Sequence, residues 1–160
     1  MTSSLGDVFE PDAEVRIPGA EEATISAAQQ RLRYPLPDSY LHLLRVQNGG
    51  SLRRTRFETD FATSWALDHF VVEALRGIGD APMALDGDVG SDYMIREWGY
   101  PDIGLVIGVT PSGGHDAAML DYRAPRSAVE PCVVYIDEDR VPRPVADSLP
   151  EFLGRLTPRG

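Results

Sequence analysis

Hydrophobic and polar positions follow a helical period at both ends of this chain and a strand-like period between them. From residue 20, Ile25, Ala28 and Leu32 recur on one helical face, with Glu21 and Glu22 at the positive end of the helix dipole and Arg31 and Arg33 at the negative end. This predicts a first helix over about 20–32. Pro35 and Pro37 stop it, and Pro37 suits the first turn of a second helix whose Tyr40, Leu43 and Leu44 share an inward face. That helix is expected to end at Asn48-Gly49-Gly50, because Asn or Gly adopts a left-handed terminating conformation at least cost. The two helices should form a hairpin-like pair. At the other end, Ser148 and Glu151 make a capping box, and Leu149, Phe152, Leu153 and Leu156 fall on one face, predicting a helix over about 149–156 that packs on a sheet.

Between the helices the clearest strands are 105–109, 117–122 and 132–137, and the short Pro111-Ser112-Gly113-Gly114 turn makes the first two antiparallel neighbours in a meander. Residues 52–57 and 70–75 are weaker strand candidates on either side of a loop around Trp65, and 91–98 has the pattern of a short helix. Pro11 and Pro18 argue for an extended lead-in over 1–18. No repeat, low-complexity segment or linker divides the chain, and 160 residues suffice for one core. The expected fold is therefore a single α+β domain over 1–160. It has a mainly antiparallel sheet, with the N-terminal and C-terminal helices packed mostly on one face.

Composition adds the solvent class: 42% hydrophobic and 25% charged residues are ordinary for a globular protein in water, and no apolar run approaches the ~18 residues of a membrane span. Residues 1–10, with Asp7 and Glu10, lack the basic start and apolar stretch of a signal peptide, so a cytoplasmic location without membrane contact is expected. Cys132 is the only cysteine, which excludes an internal disulfide and a cysteine-based zinc site; a small hydrophobe in a strand is its simplest role. The net charge of −10 lies wholly within residues 58–121, where twelve acids meet only Arg76 and Arg96, while thirteen acids and thirteen arginines cancel elsewhere. An acidic surface of this kind disfavours nucleic acid and suits a cationic partner, a nuclease for example, although solubility alone also accounts for it.

Catalytic signatures are sparse. The chain has no Walker A loop, G-x-G-x-x-G, H-E-x-x-H or G-x-S-x-G, and Cys132 stands in an apolar strand where thiols are usually inert. Gly113-Gly114-His115-Asp116 with Asp121 is the one cluster with ligand-like chemistry. On a regular strand, however, Asp116 and Asp121 face opposite sides, and His115 and Asp121 stand ~20 Å apart. Bracing of the turn is the simpler role, with metal binding or acid/base chemistry at His115, Asp116 and Asp121 as the alternative. No cofactor is expected. Trp65, Trp98 and Tyr100 either fill the core or anchor a partner. Arg53, Arg54 and Arg56 read as protection of an edge strand, and His42 and His69 show no ligand spacing.

Several motifs in series resemble the SUKH superfamily, the group of bacterial immunity proteins related to fungal cell-wall-assembly regulators. They begin with Ile25 to Leu32, then Leu36-Pro37-Asp38-Ser39-Tyr40, Leu43-Leu44 and Asn48-Gly49-Gly50. Thr63-Ser64-Trp65-Ala66, Tyr93 to Gly99 including Glu97 and Gly99, Ser112 to Asp116 and Leu120-Asp121-Tyr122-Arg123 are similar to a bacterial subgroup. The closing match is Val133-Val134-Tyr135 with Asp137-Glu138, then Ser148 to Leu153. The likeness covers about 20–156; the proline-rich Ala124-Pro125-Arg126 before Glu130-Pro131 departs from the usual form. It implies a non-enzymatic protein that binds and neutralises a cognate toxin, commonly a nuclease. No catalytic residues travel with the likeness. On that basis Asp80, Asp86, Asp88 and Asp92 are expected to steer association with a basic toxin, and Trp65, Trp98 or Tyr100 to anchor it. A metal- or ligand-binding regulator, or a scaffold like the fungal relatives, is the alternative.

Overall fold

A computed structural model describes residues 7–11, 16–124 and 130–158. The stretch 125–129, where the sequence departs from the superfamily pattern, and most of the lead-in lie outside the described residues. Among the described residues the order is α1 (Glu22–Arg31), α2 (Asp38–Val46), β1 (Gly50–Ser51), β2 (Arg56–Glu58), β3 (His69–Val71), β4 (Ala74–Leu75), α3 (Ser91–Trp98), β5 (Gly104–Val109), β6 (Ala117–Asp121), β7 (Cys132–Ile136), β8 (Pro142–Ala146) and α4 (Leu149–Arg155). The main sheet runs β1-β4-β5-β6-β7-β8, antiparallel at every pairing, and β2-β3 form a separate antiparallel pair.

β5, β6 and β7 are buried along almost their whole length, as central strands covered on both faces must be. Their side chains alternate between two cores. Leu105, Ile107, Ala118, Leu120, Val133 and Tyr135 meet α1, α2, α4 and the β2-β3 pair. Val106, Ala117, Met119, Val134 and Ile136 point the other way and meet Met94 of α3, with Tyr100. Three of the four helices therefore share one face, and α3 covers the other alone. The larger core is centred on stacked rings: Phe57 lies 5.2 Å from Phe70 and 4.9 Å from Phe152, and Phe70 lies 4.2 Å from Tyr135.

The helix ends show what the local sequence does. Ser148 Oγ accepts the Glu151 N–H at 3.2 Å, and Glu151 returns a carboxylate oxygen to the Asp147 N–H at 2.9 Å, one residue earlier than the reciprocal bond of a standard capping box. Arg45 of α2 pairs with Glu22 of α1 at 3.0 Å, and the Ala20 N–H reaches Leu44 O at 2.7 Å. Pro37 serves as the N-cap of α2 rather than sitting inside its first turn.

Asn48 does not adopt the left-handed conformation expected of it; Gly49 (φ 76) and Gly50 (φ 129) do. Its side chain acts instead as a surrogate peptide group for a distant loop. Asn48 Oδ1 accepts from the Ile78 N–H at 2.8 Å, and Nδ2 donates to Ile78 O at 3.0 Å. Gly49 permits this approach, since a Cβ there would stand 2.4 Å from the Gly77 nitrogen.

The weak strand candidates resolve into shorter pieces. Residues 70–75 divide between two sheets, as the end of β3 and all of β4, while within 52–57 only Arg56 and Phe57 belong to a strand, β2; the strand β8 has no counterpart in the sequence pattern. Pro142 and Pro144 mask it, since prolines break the expected strand signal and are tolerated here because β8 is an edge. Within the lead-in, Phe9 is buried and bridges to Leu52.

Candidate functional site

The turn joining β5 to β6, residues 110–116, is the most heavily braced irregular segment of the fold. Asp116 is 3% exposed. Its Oδ1 accepts from Ser112 Oγ at 2.6 Å and is contacted by the Thr110 hydroxyl; its Oδ2 accepts from the Tyr135 hydroxyl at 2.5 Å. Burial, and then the neighbouring Asp116 carboxylate, push the Tyr135 phenol well above its usual range, so it stays a proton donor to that carboxylate. Asp116 thus closes the turn and ties it to β7, a bracing role.

Arg140, at φ 60, completes the brace from outside. Its Nε donates to Trp98 O at 3.0 Å, and its Nη1 lies 2.8 Å from His115 O and 3.0 Å from Asp137 O. Its guanidinium sits 4.2 Å over the Tyr100 ring. One side chain therefore joins the end of α3, the turn and the end of β7. Nothing in the spacing of Asp137 to Arg140 along the sequence announces it.

A second loop stands beside this turn and carries Trp65. Thr63 Oγ1 accepts from the N–H groups of Trp65 and Ala66 at 3.2 and 3.1 Å, and the Ser64 N–H donates to Asp137 Oδ2 at 2.8 Å. The loop is fixed, yet Trp65 remains 53% exposed and Leu67 87% exposed. Between the loop and the turn lies an apolar hollow of about 260 Å³, walled by Trp65, Ala66, Phe70, Val71 and Pro111 and bounded by Asp116. On the far side of the turn a second hollow, about 180 Å³, is lined by Arg76, Met83, Val89, Met94, Trp98 and again Asp116. The turn is the ridge between them.

The residues singled out from sequence divide sharply in their placement. Trp65 stands on this face. Trp98 is half-buried, meeting His115 edge-on at 5.5 Å and touching the space that a Cβ on Gly114 would fill. Tyr100 is not available to a partner: it is 2% exposed and its hydroxyl donates to Gly114 O at 2.8 Å. Gly113 is exposed at the turn tip, Glu97 is exposed on α3, and Gly99 caps that helix. Tyr122 packs at a tilt against Tyr34, ring centres 5.0 Å apart, and its hydroxyl donates to Pro35 O at 2.6 Å.

His115, Asp116 and Asp121 are not brought together. Asp116 and Asp121 flank opposite ends of β6, ~16 Å apart along a strand, and Asp121 is held by Arg123 at 2.8 Å. Burial raises the Asp121 carboxyl, but the Arg123 side-chain and backbone N–H donors outweigh it and hold the group below its usual range. His115 instead lies 3.8 Å from Glu138. Among the described residues no three His, Cys, Asp or Glu side chains are grouped to hold a metal. Burial, with Asp121 nearby, raises the Cys132 thiol, the opposite of what a nucleophile needs.

Part of the charge of the acidic third is neutralised within the fold. Asp86 is buried, its side chain 1% exposed, accepting the Gly79 N–H at 2.9 Å and pairing with Arg31 at 3.2 Å. Asp92 pairs with Arg96 at 2.8 Å and lies 3.8 Å from Arg33, which also bridges Asp102. Neutralisation happens in space rather than along the chain: α1 and the residue pair after it bring Arg31 and Arg33 against the loop before α3 and its first turn. Only Asp80 and Asp88 of the four aspartates remain exposed with no ion pair seen among the described residues.

Among the described residues an antiparallel sheet with three helices on one face, one on the other, and a braced turn flanked by hollows defines a small α+β domain. The family model of the SMI1 / KNR4 family (SUKH-1) matches residues 19–155, and the chain belongs to that family. No individual curated protein matches it. Among the described residues no helix is long and apolar enough to cross a membrane.

Proposed function

We propose that this chain acts by binding rather than catalysis, as an immunity-type protein that neutralises a cognate toxin domain, and that the face around Trp65 is where it docks. The observation that carries this is Trp65 itself. A tryptophan half out of solvent contact, on a loop immobilised by Thr63 and Asp137, beside an apolar hollow and a fully exposed Leu67, has little entropy left to lose on association. Family membership supports a protein partner of the toxin kind. Asp116, His115 and Arg140, the groups that chemistry would recruit, are engaged in holding the face together.

A basic toxin domain, a nuclease for instance, remains the partner that the net charge of −10 favours. Steering then falls to Asp80 and Asp88, with Asp60 before the Trp65 loop, rather than to the four aspartates as a set. The test is affinity capture from the native host, followed by co-expression of any toxin domain recovered. The wild-type chain should rescue growth. Trp65→Ala should weaken binding by ~2 kcal/mol or more, about 30-fold, and reduce rescue while leaving the circular dichroism spectrum unchanged. Equal rescue by Trp65→Ala and by Trp65→Ala with Leu67→Ala would place the interface elsewhere.

A further inference from the structure

Arg76 follows β4 and is 3% exposed, yet no carboxylate pairs with it among the described residues. Its Nη1 donates to the carbonyls of Met83 and Val89 at 2.9 and 3.0 Å, while its Nε has no hydrogen-bond partner. A buried cation without a counter-charge is unfavourable, and burial lowers its proton affinity accordingly. The same side chain lines the 180 Å³ hollow, whose walls are mostly apolar, with Met83, Val89, Met94 and Trp98, and polar at Thr110 and Asp116. Asp116 reaches that hollow too, but its oxygens are taken by Ser112, Thr110 and Tyr135.

We propose that this hollow is an anion site that receives a carboxylate carried on a short apolar body, its charge set against Arg76 and its carbons against Met94 and Trp98. The volume fits, being about six times the ~30 Å³ share of one liquid water, enough for an acid of a few carbons. The rim is open in the right place. Met83 and Val89 stand 45% and 47% exposed at its mouth, so a ligand enters without unfolding the loop. Guanidinium with carboxylate is the strong pairing, and it gains strength where water is excluded. This site is independent of docking at Trp65, and its test uses no toxin.

The chain has two tryptophans, so a Trp65→Phe background leaves Trp98, in the wall of the hollow, as sole reporter. Fluorescence is titrated with butyrate, with butyramide as the uncharged match, at constant ionic strength. The expected result is a saturable change in Trp98 emission with butyrate and none with butyramide, lost in Arg76→Gln. Because Arg76→Gln also removes loop contacts and can fail to fold, Val89→Phe carries the test independently. It fills the mouth from an exposed position and should cut apparent affinity roughly tenfold or more. N-acetylglutamate N-methylamide separates the sources: a response equal to that of butyrate assigns the site to an acidic side chain of a protein, and a response to butyrate alone assigns it to a free acid. No saturation with either acid, an equal response to butyramide, or undiminished binding in Val89→Phe would overturn the proposal.

Discussion

Replacing Asn48 with alanine removes both bonds to Ile78, 2.8 Å from its N–H and 3.0 Å to its carbonyl. The two ends of Ile78 then differ. Its carbonyl keeps the Ala81 N–H at 3.2 Å, so that loss amounts to one ordinary bond, about 0.5–1.5 kcal/mol. Its N–H is left without a partner beside a side chain that is fully buried, which costs about 1–3 kcal/mol. Asn48→Ala should therefore destabilise the fold by about 1.5–4.5 kcal/mol, a large share of the ~5–15 kcal/mol typical of a domain. Urea unfolding followed by circular dichroism measures it, with the midpoint falling and the slope unchanged. Asn48→Asp is the sharper test. At neutral pH its carboxylate keeps the acceptor but sets a negative oxygen against Ile78 O, so the charged form is disfavoured and its folded pKa is raised. A group of that kind takes up protons on folding, so the deficit of Asn48→Asp should shrink as pH falls toward 4, where a protonated acid again donates to Ile78 O. A loss under ~0.5 kcal/mol in Asn48→Ala, or an Asn48→Asp deficit independent of pH, would refute the clamp.

Arg140→Met should cost ~2–3 kcal/mol in the same assay, because three carbonyls lose a charged donor together with the contact over Tyr100; a neutral outcome would mean that water replaces the brace. Asp121 is held below its usual pKa by Arg123, so the stabilisation is complete above the unfolded value of ~3.9 and disappears as pH falls through the lower folded value. Asp121→Asn should therefore be less stable than wild type at pH 7, with the gap closing on acidification from about pH 5 downward; a gap constant across that range would count against the pairing.

Much of the fold was legible because its signals are local. The apolar face of α4, its serine cap, the apolar runs of β5 to β7 and the order of the meander all follow from neighbouring residues. α3 was legible as a helix but not in its placement on the opposite face, which depends on which parity of β5 to β7 it covers. The site was less readable, for a physical reason. Trp65 could be named, but its exposure is set by Thr63 and by Asp137, far along the chain. Arg76 and Arg140 matter through carbonyls contributed by distant segments, and backbone acceptors leave no mark in a sequence. An arginine within the apolar run from Phe70 to Ile78 was the one available hint. The aspartates were hard to read for the converse reason, since Asp86 is met by Arg31 from far along the chain and Asp92 by Arg33 as well as by the neighbouring Arg96.

The two edges of the main sheet also bear on how this protein can be recognised. β8 carries Pro142 and Pro144 among its five residues, and β1 at the other edge is two residues long. An incoming strand would find too few amide donors on one side and too short a template on the other. Strand addition at these two edges is thereby disfavoured, both for a partner and for a second copy of the chain. On the proposed reading, recognition falls to loops and to the hollows between them, whose residues can be exchanged one at a time while the hydrogen-bonded framework beneath stays the same.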